Sequence, residues 1–224
     1  MNEVQFKDLG RIDYKEAWDL QEKLHAEVVD ARKAGKPIGG YVLFCEHPHV
    51  YTLGKSGQVN NLLINDDFLK SIDATFYKTN RGGDITYHGP GQLVGYPILD
   101  LEKFNLRIKD YIALLEQSII DTLKDYDIVA GRLAGATGVW LDHESDKSRK
   151  ICAIGVRASR YVTMHGFALN IKTDLNYFRH INPCGFIDKG VTSMEKEVEN
   201  NIELQDVATK LKDKLAYLFN VSYY

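Results

Sequence analysis

The cysteine at position 184 is the residue whose type and surroundings best suit covalent chemistry. It lies in the run Asn182-Pro183-Cys184-Gly185, where proline fixes its own φ and glycine lets other groups approach the backbone closely. A thiolate is a strong nucleophile, but a free thiol with a pKa of about 8.5 is mostly protonated at neutral pH and needs a nearby cation or base. An isolated cysteine is also common as a small buried residue, so the residues alone leave both interpretations open.

A lysine at the entry to an apolar strand is a candidate for that cation. Lys150 precedes Ile151-Cys152-Ala153-Ile154, a position where its side chain can be half buried. An ammonium stabilises a neighbouring thiolate, and a lysine can also accept and return a proton. Lys150 also belongs to a short basic run with Lys147 and Arg149, and such runs are usually solvated. Lys150 lies 34 positions before Cys184, so only the fold can bring the two side chains together.

The segment Arg81 to Gln92, with the sequence RGGDITYHGPGQ, is the most unusual stretch of the chain. It contains four glycines within eleven residues, which a stable domain accepts where positive φ or close backbone approach is needed. It is neither a phosphate-binding P-loop nor a dinucleotide-binding GxGxxG motif. Two interpretations remain: a pair of tight turns flanking a strand, or a ligand groove lined by Arg81, Tyr87 and His88.

Two pairs of histidines also invite a chemical interpretation. His88 and His165 each lie beside a glycine, where a histidine either satisfies backbone groups or helps to orient a site. His47 and His49 in Glu46-His47-Pro48-His49 suggest a metal site at first sight. No third or fourth ligand lies nearby, so we expect no metal and predict that these two histidines pack at the surface or in a loop.

Composition sets the broad class. The chain has 224 residues, 44% hydrophobic and 26% charged, which is typical of a globular protein and predicts one domain spanning residues 1–224. A net charge of −3 argues against bulk attraction to nucleic acid. No apolar run approaches the roughly 20 residues that span a membrane, and the N-terminus resembles neither a signal nor a transit peptide. We expect a soluble cytoplasmic protein that contacts no membrane.

The remaining cysteines and the periodicity of apolar residues indicate the framework. Three cysteines without a CxxC pair exclude a disulfide framework, and Cys45 and Cys152 are expected in the core. Helical spacing predicts helices over residues 14–31, 108–126 and 204–218, the first with Asp13 and Glu16 as a capping box and Gly35 and Pro37 as its stop.

Runs of β-branched and aromatic residues between the helices predict the strands. These runs cover residues 41–44, 74–77, 93–96, 138–141, 151–154 and 167–171. Residues 54–65 and 142–149 are predicted to be loops. Because helices and strands interleave irregularly, we predict an α/β fold of the mixed α+β kind, with helices flanking a mixed sheet.

Four motifs occur in an order that resembles one enzyme family. They are RGGDITYHGPGQ (81–92), KICAIGVR (150–157), HGFALNI (165–171) and INPCG (181–185). Together they resemble the lipoyl(octanoyl) transferases of lipoate biosynthesis, within the biotin/lipoate protein ligase superfamily. The likeness covers most of the chain from residue 81 to 193 and little of either terminal third. It implies that superfamily's fold, a mixed sheet with flanking helices.

The resemblance also implies a reaction. Cys184 matches the family's acyl-carrying cysteine, and Lys150 matches the general acid and base that lowers the pKa of the thiol. The family transfers an octanoyl group from octanoyl-acyl carrier protein, through a thioester, to a lysine of a lipoyl domain. No resident cofactor is implied, since the donor carries its own phosphopantetheine. The matched substrate-binding positions are Arg81, Gly82, Gly83, Asp84, Ile85, Thr86, Tyr87, His88, Ala153, Ile154, Gly155, Gly166, Phe167 and Ala168.

The implied partners are proteins. They are acyl carrier protein and the lipoyl domains of 2-oxoacid dehydrogenase complexes and of the glycine cleavage H protein, all expected to be acidic. Five basic residues near the motifs would either form a docking rim or be ordinary solvated charges: Arg157, Arg160, Lys172, Arg179 and Lys189. Two alternatives to the transferase stay open, an ATP-dependent lipoate–protein ligase and a non-catalytic module that binds acyl groups or lipoyl domains.

Overall fold

A mixed sheet of nine strands forms the centre of the described part of the chain. The computed structural model describes residues 2–36, 38–182, 189–199 and 201–224. The described residues form strands of this sheet and of a second, smaller one. In chain order the strands are β1 (Asn2–Arg11), β2 (Gly40–Glu46), β3 (Val50–Leu53), β4 (Thr75–Lys78), β5 (Ile85–His88), β6 (Gln92–Leu99), β7 (Gly131–Leu133), β8 (Ala136–Leu141), β9 (Arg149–Ser159), β10 (Val162–Asn170), β11 (Gly190–Val191) and β12 (Val221–Tyr223).

Two sheets are built from these strands. The large sheet has the order β12-β1-β2-β6-β10-β9-β8-β7, and β11 pairs with β9 beside this path. The pairs β1–β2, β1–β12 and β9–β11 are parallel, whereas the pairs at its centre are antiparallel. A small sheet has the order β4-β3-β5. The sheet is therefore mixed, and the predicted fold class is confirmed.

Helices cover both faces of the large sheet. They are α1 (Tyr14–Lys33), α2 (Asp66–Ser71), α3 (Ile108–Lys124), α4 (Met194–Glu197) and α5 (Leu204–Phe219), with 3-10 turns at Val59–Asn61 and Leu175–His180. The apolar faces of α3 and α5 pack with one side of the sheet in one hydrophobic cluster. On the other side, α1 packs over β6 and β10. No helix among the described residues is long and apolar enough to cross a membrane.

The three long predicted helices are present, and the start of α1 follows from its sequence. The carboxylate of Asp13 accepts a hydrogen bond from the backbone N–H of Lys15 at 2.7 Å, which satisfies one of the free amides at the helix start. After α1 ends, Gly35 adopts a left-handed φ of +64°. The six predicted strands all lie within β2, β4, β6, β8, β9 and β10, or overlap them.

Several strands and a short helix were not predicted. β1 and β12 lie at one edge of the large sheet and are only partly buried, so their apolar pattern is weak. β3 and β5 form the small sheet and flank segments that the sequence favours as loops. The short helix α2 begins at the cap Asn65, whose side chain accepts from the N–H of Phe68, directly after the predicted loop over residues 54–65.

The turn between β5 and β6 shows why the glycine-rich segment needs glycine. Gly91 has a φ of +76°, and a Cβ there would lie 2.5 Å from the carbonyl oxygen of Lys172. Its N–H donates to Glu46 Oε2 at 2.6 Å, and its carbonyl accepts from the N–H groups of Ile171 and Lys172. This turn therefore ties β6 to the end of β10.

We expect Gly91→Ala to lower the free energy of unfolding by about 3 kcal/mol, because the left-handed conformation costs roughly 1–2 kcal/mol and the clash adds a similar amount. Gly35→Ala is the matched control, since Gly35 also has positive φ but no atom lies within 4 Å of the position that a Cβ would take there. Its expected cost is about 1 kcal/mol. Urea unfolding of both variants measures the difference, and equal costs would contradict the proposed clash.

Candidate active site

A cavity of about 270 Å³ lies between the large sheet and the small sheet. Its floor is formed by four small residues on two adjacent strands: Ala153 and Gly155 of β9, and Gly166 and Ala168 of β10. In the β9–β10 register these residues face one another as two pairs. Its opposite wall includes Ile85, Thr86 and His88 of β5. The side chains of the floor are short, so an elongated ligand can lie directly on the sheet.

Close backbone approach accounts for two of the small residues in the floor. A Cβ on Gly155 would lie 2.9 Å from the carbonyl oxygen of Gly82, and a Cβ on Gly166 would lie 2.0 Å from that of Gly95. Across the sheets, the N–H of Gly82 donates to the carbonyl of Val156 at 3.0 Å. A larger side chain at Gly155 would push the segment around Gly82 away from the large sheet, whereas one at Gly166 would push the neighbouring strands β10 and β6 apart.

Lys150 lines one end of the cavity and is half buried, as its position before an apolar strand predicts. Its Nζ lies 4.6 Å from the centroid of the Trp140 ring, close enough for a cation–π interaction. The Trp140 ring is itself 1% exposed, and its Nε1–H donates to the carbonyl of Ala136 at 3.1 Å. The backbone of Lys150 is held in turn, because its carbonyl accepts from the N–H of Thr192 at 3.0 Å. The ammonium thus lies in a fixed place at the cavity.

Arg81 and Asp84 line the cavity and also hold the glycine-rich segment in place. Arg81 is buried, and its guanidinium donates to the carbonyl and hydroxyl oxygens of Thr52 and to the carbonyl of Gly82. The carboxylate of Asp84 accepts from the N–H of Ile85 at 2.6 Å and from Asn61 Nδ2 at 2.7 Å. These contacts fix the path of the chain beside the cavity.

The two histidines next to glycine are buried at the cavity and neutral. Burial lowers the pKa of His88 to about 3, and the neighbouring His47 lowers it further in the same direction. Burial likewise lowers the pKa of His165 to about 3, with a smaller contribution from Arg81. His88 Nδ1–H donates to Gln92 Oε1 at 2.8 Å, and His165 Nε2 lies 2.7 Å from Asn80 Oδ1. The two neutral rings therefore hold their hydrogen-bond partners in place along the walls of the cavity.

All but two of the predicted site residues that the structure describes line the cavity. Gly82 lies behind its wall, in the contact with Val156. Tyr87 points away, because successive side chains of a strand face opposite sides; its hydroxyl lies 2.7 Å from His49 Nδ1 and its ring stacks on Tyr177 at 4.8 Å. Cys184 lies outside the described residues.

The sequence did not indicate several cavity residues. They come from α1, β6, β8 and the end of β10: Tyr14, Gln92, Val94, Tyr96, Trp140 and Asn170. Gln92 and Asn170 lie within the motifs of residues 81–92 and 165–171 but were not among the predicted site residues, and the other four lie outside every motif. Only the fold brings α1 and β6 to the cavity. Gln92 and Asn170 form a buried chain, in which Gln92 Nε2 donates to Asn170 Oδ1 at 2.9 Å and Asn170 Nδ2 donates to the carbonyl of Thr192 at 3.0 Å.

The other cysteines and histidines have structural roles. Cys45 and Cys152 are buried in strands of the core, as predicted, and burial raises the pKa of both thiols. His47 is fully buried in the interior; its Nδ1–H donates to the carbonyl of Ile12, so its Nε2 accepts from the hydroxyl of Tyr96 at 2.7 Å. Within the described ranges, no group of three or more His, Cys, Asp or Glu residues could hold a metal ion.

The five basic residues considered as a rim are not equivalent. Of these, Lys189 lines the cavity and donates to Ser148 Oγ at 2.9 Å. Lys172 instead pairs with Glu203 at 3.5 Å. Arg157 lies two residues beyond the cavity residue Gly155 on β9, and Arg160 lies in the exposed β9–β10 turn.

Comparison with known proteins defines the class first. The bi-partite lipoate protein ligase of Thermoplasma acidophilum, solved with its E2 lipoyl domain, has the same fold, with a TM-score of 0.72 at 14% identity over 100% of this chain and 86% of that one. A family model described as the lipoyl protein ligase A/B catalytic domain matches residues 13–216.

Two curated relatives narrow the class. An octanoyltransferase of Bacteroides thetaiotaomicron is 54% identical over 213 residues, covering 95% of this chain and 94% of that protein. An octanoyltransferase of Flavobacterium johnsoniae is 53% identical over 223 residues, covering 96% of each. The chain belongs to the lipoyl protein ligase A/B catalytic family and, within it, to the octanoyltransferases, which makes it an acyltransferase.

The buried histidines predict how stability depends on pH. In the folded protein His88 and His165 remain neutral down to about pH 3, whereas in the unfolded chain they bind protons below about pH 6.5. Because the unfolded state binds more protons in this window, the free energy of unfolding falls as the pH falls from about 6.5 towards 3. We expect His88→Gln and His165→Gln to flatten this slope, measured by urea unfolding between about pH 7.5 and pH 4.5. A slope unchanged in both variants would contradict the assignment.

Proposed function

We propose that this protein transfers an octanoyl group from octanoyl-acyl carrier protein to the lysine amine of lipoyl domains, through a thioester on Cys184. Its identity to curated octanoyltransferases exceeds one half over nearly the whole chain. The observation that carries the proposal is the position of Lys150 at a cavity floored by glycine and alanine. A hydrocarbon chain fits such a floor, since each buried methylene contributes about 0.8 kcal/mol.

The proposed first half-reaction exchanges one thioester for another. The thiolate of Cys184 attacks the carbonyl carbon of the donor thioester, and the bond to the pantetheine sulfur breaks. Lys150 accepts the proton of the Cys184 thiol and returns it to the departing carrier thiol. The pairing of Lys150 with Cys184 is supported by the described residues on either side of Cys184 in the sequence. Two of them, Ile181 and Lys189, line the same cavity as Lys150.

The second half-reaction forms an amide. The acceptor amine attacks the carbonyl carbon of the Cys184 thioester, the carbon–sulfur bond breaks, and Lys150 removes the amine proton while the thiol is regenerated. A thioester is more reactive than an amide, so the step runs towards the product. No resident cofactor enters the proposed mechanism, since the donor supplies its own phosphopantetheine.

The proposed partners are two kinds of carrier domain. A lipoyl domain as acceptor is supported by the fold neighbour solved with its E2 lipoyl domain; acyl carrier protein as donor, and the glycine cleavage H protein as a further acceptor, rest on the motif resemblance. Lys189 at the cavity and Arg157 beyond Gly155 would meet acidic surfaces of these carriers.

Intact mass measurement tests the proposal. Incubation with octanoyl-acyl carrier protein in the absence of ATP should add one octanoyl group, which a lipoyl domain then removes. Cys184→Ser should give no thioester adduct. Lys150→Arg keeps a cation but cannot readily release a proton, so it should slow transfer by at least about a hundredfold. Use of free octanoate only with ATP would instead indicate a ligase, and binding without transfer would indicate a non-catalytic module.

The contact between Lys150 and Trp140 makes a separate prediction. Trp140→Leu removes the ring that lies 4.6 Å from Lys150 Nζ, and a partly desolvated cation–π contact contributes about 1–2 kcal/mol. We expect kcat/KM for octanoyl transfer to fall by about tenfold in Trp140→Leu. Trp140→Phe retains an aromatic face and should recover most of this loss. If Trp140→Leu and Trp140→Phe unfold at the same urea concentration and lose equal amounts of kcat/KM, the aromatic face makes no contribution of its own.

A further inference from the structure

Among the described residues, the lining of the cavity is exposed at one end and buried at the other. At the end formed by β8 and β9, its lining residues Thr137, Lys150 and Ile154 are exposed or half exposed. At the opposite end Tyr14, Val94 and Tyr96 line it, with exposures of 2%, 1% and 4%. A ligand therefore enters beside Lys150, and its far end reaches these three residues.

The strand order gives the direction and reach of the cavity. Trp140 is on β8, Lys150 on β9, Ala168 on β10 and Tyr96 on β6, and these four strands are consecutive neighbours in the sheet. Three spacings of about 4.8 Å place β6 roughly 14 Å from β8. The cavity thus crosses the strands, and a linear chain attached near Lys150 extends over β10 towards β6.

Tyr14 closes the far end from above the sheet. It is the first residue of α1 and the only described residue of that helix to line the cavity. Its ring stacks against His88 at 5.9 Å with an interplanar angle of 9° and against Tyr77 at 5.6 Å, and it meets His47 edge-on at 5.3 Å. Because aromatic rings hold it on three sides, the Tyr14 ring cannot swing aside for a longer ligand.

Tyr96 and Val94 complete the closed end from the sheet. The hydroxyl of Tyr96 is fixed 2.7 Å from His47 Nε2. Val94 pairs with Ala168 in the register of β6 and β10. Both side chains belong to the cluster between the sheet and α1, so the far wall is part of the hydrophobic core.

From this geometry we infer that Tyr14, backed by Tyr96 and Val94, is the stop that sets the longest acyl chain the enzyme accepts. The inference rests on the proposed function, because it assumes that an acyl chain occupies the cavity with its carbonyl end at Lys150. An acyl chain that ends at Tyr14 buries every one of its methylenes, whereas a longer acyl chain clashes with the fixed Tyr14 ring. The specificity for chain length then resides in α1 and β6, outside the sequence motifs.

Two substitutions should move chain-length preference in opposite directions. Tyr14→Leu removes the end wall, so the ratio of kcat/KM for decanoyl to octanoyl thioester should rise by about tenfold, as expected for two more buried methylenes. Ala168→Val raises the floor before the end wall, so the ratio for hexanoyl to octanoyl thioester should rise by a similar factor. Hexanoyl, octanoyl, decanoyl and dodecanoyl pantetheine thioesters are compared with one lipoyl domain as acceptor.

A matched control separates the stop from general loosening of the core. Leu24 is a buried residue of α1 in the same cluster as Val94 and Tyr96, at 5% exposure, and it does not line the cavity. Leu24→Ala should leave the chain-length profile unchanged while it lowers stability. If Tyr14→Leu does not fold, Val94→Ala replaces it, with a smaller rise in the decanoyl ratio expected.

The outcomes distinguish this inference from the function on which it rests. Wild-type protein that transfers none of the four chains would refute the proposed function. Wild-type protein that transfers octanoyl groups, with profiles unchanged in folded Tyr14→Leu or Val94→Ala and in Ala168→Val, would refute only the stop. A shift in Leu24→Ala as large as in Tyr14→Leu would show that core packing, and not the end wall, sets the profile.

Discussion

The structure depends on a contact between two backbones that glycine alone permits. Gly82 of the glycine-rich segment donates its N–H to the carbonyl of Val156, and a Cβ on Gly82 or on Gly155 would meet the opposing backbone at 2.9 Å. This contact draws the small sheet onto the large one. The cavity of about 270 Å³ lies beside this contact and is lined by both Gly155 and Gly83, so the same constraint closes the fold and shapes its cavity.

Burial near the contact between Gly82 and Val156 explains the hydrogen bonds and the protonation states of the polar residues around it. Arg81 must satisfy its guanidinium without water, and it does so on Thr52 and the Gly82 carbonyl. His88 and His165 lose their charge for the same reason. Gln92 donates a hydrogen bond to Asn170, and Asn170 donates one to the carbonyl of Thr192. The N–H of Thr192 in turn donates to the carbonyl of Lys150. The two histidines in the lining are therefore neutral, and the charged groups Arg81 and Asp84 are held by hydrogen bonds to neighbouring chain segments.

The sequence predicts those parts of the fold that local patterns determine. Apolar residues at helical spacing located α1, α3 and α5, and β-branched runs located the central strands, because those elements bury one continuous face. β1 and β12 escaped prediction because edge strands are only partly buried and so carry a weak pattern. The glycine-rich segment permitted two interpretations. Its strand β5 agrees with the first; of the three side chains expected to line a ligand groove, Arg81 and His88 line the cavity and Tyr87 does not, and the groove itself stays a prediction.

The sequence did not predict which side chains line the cavity when this depends on the direction of the side chain or on residues distant in the sequence. Tyr87 stands in a motif beside His88, yet strand alternation turns it to the opposite face, a consequence of β5 that requires the strand to be known first. Tyr14 and Tyr96 carry no motif, and they meet only because α1 crosses β6.

The fold is shared with a lipoate protein ligase at only 14% identity, so the fold is compatible with many different side chains that preserve its packing. Function must then reside in few positions. In the proposed mechanism the motifs supply the groups that act on the reacting carbon, whereas residues outside the motifs, held by core packing, form the far wall of the cavity. A sequence therefore reveals the reaction sooner than it reveals the size of the substrate, because reactive groups are restricted in type and the walls of a cavity are restricted only in volume.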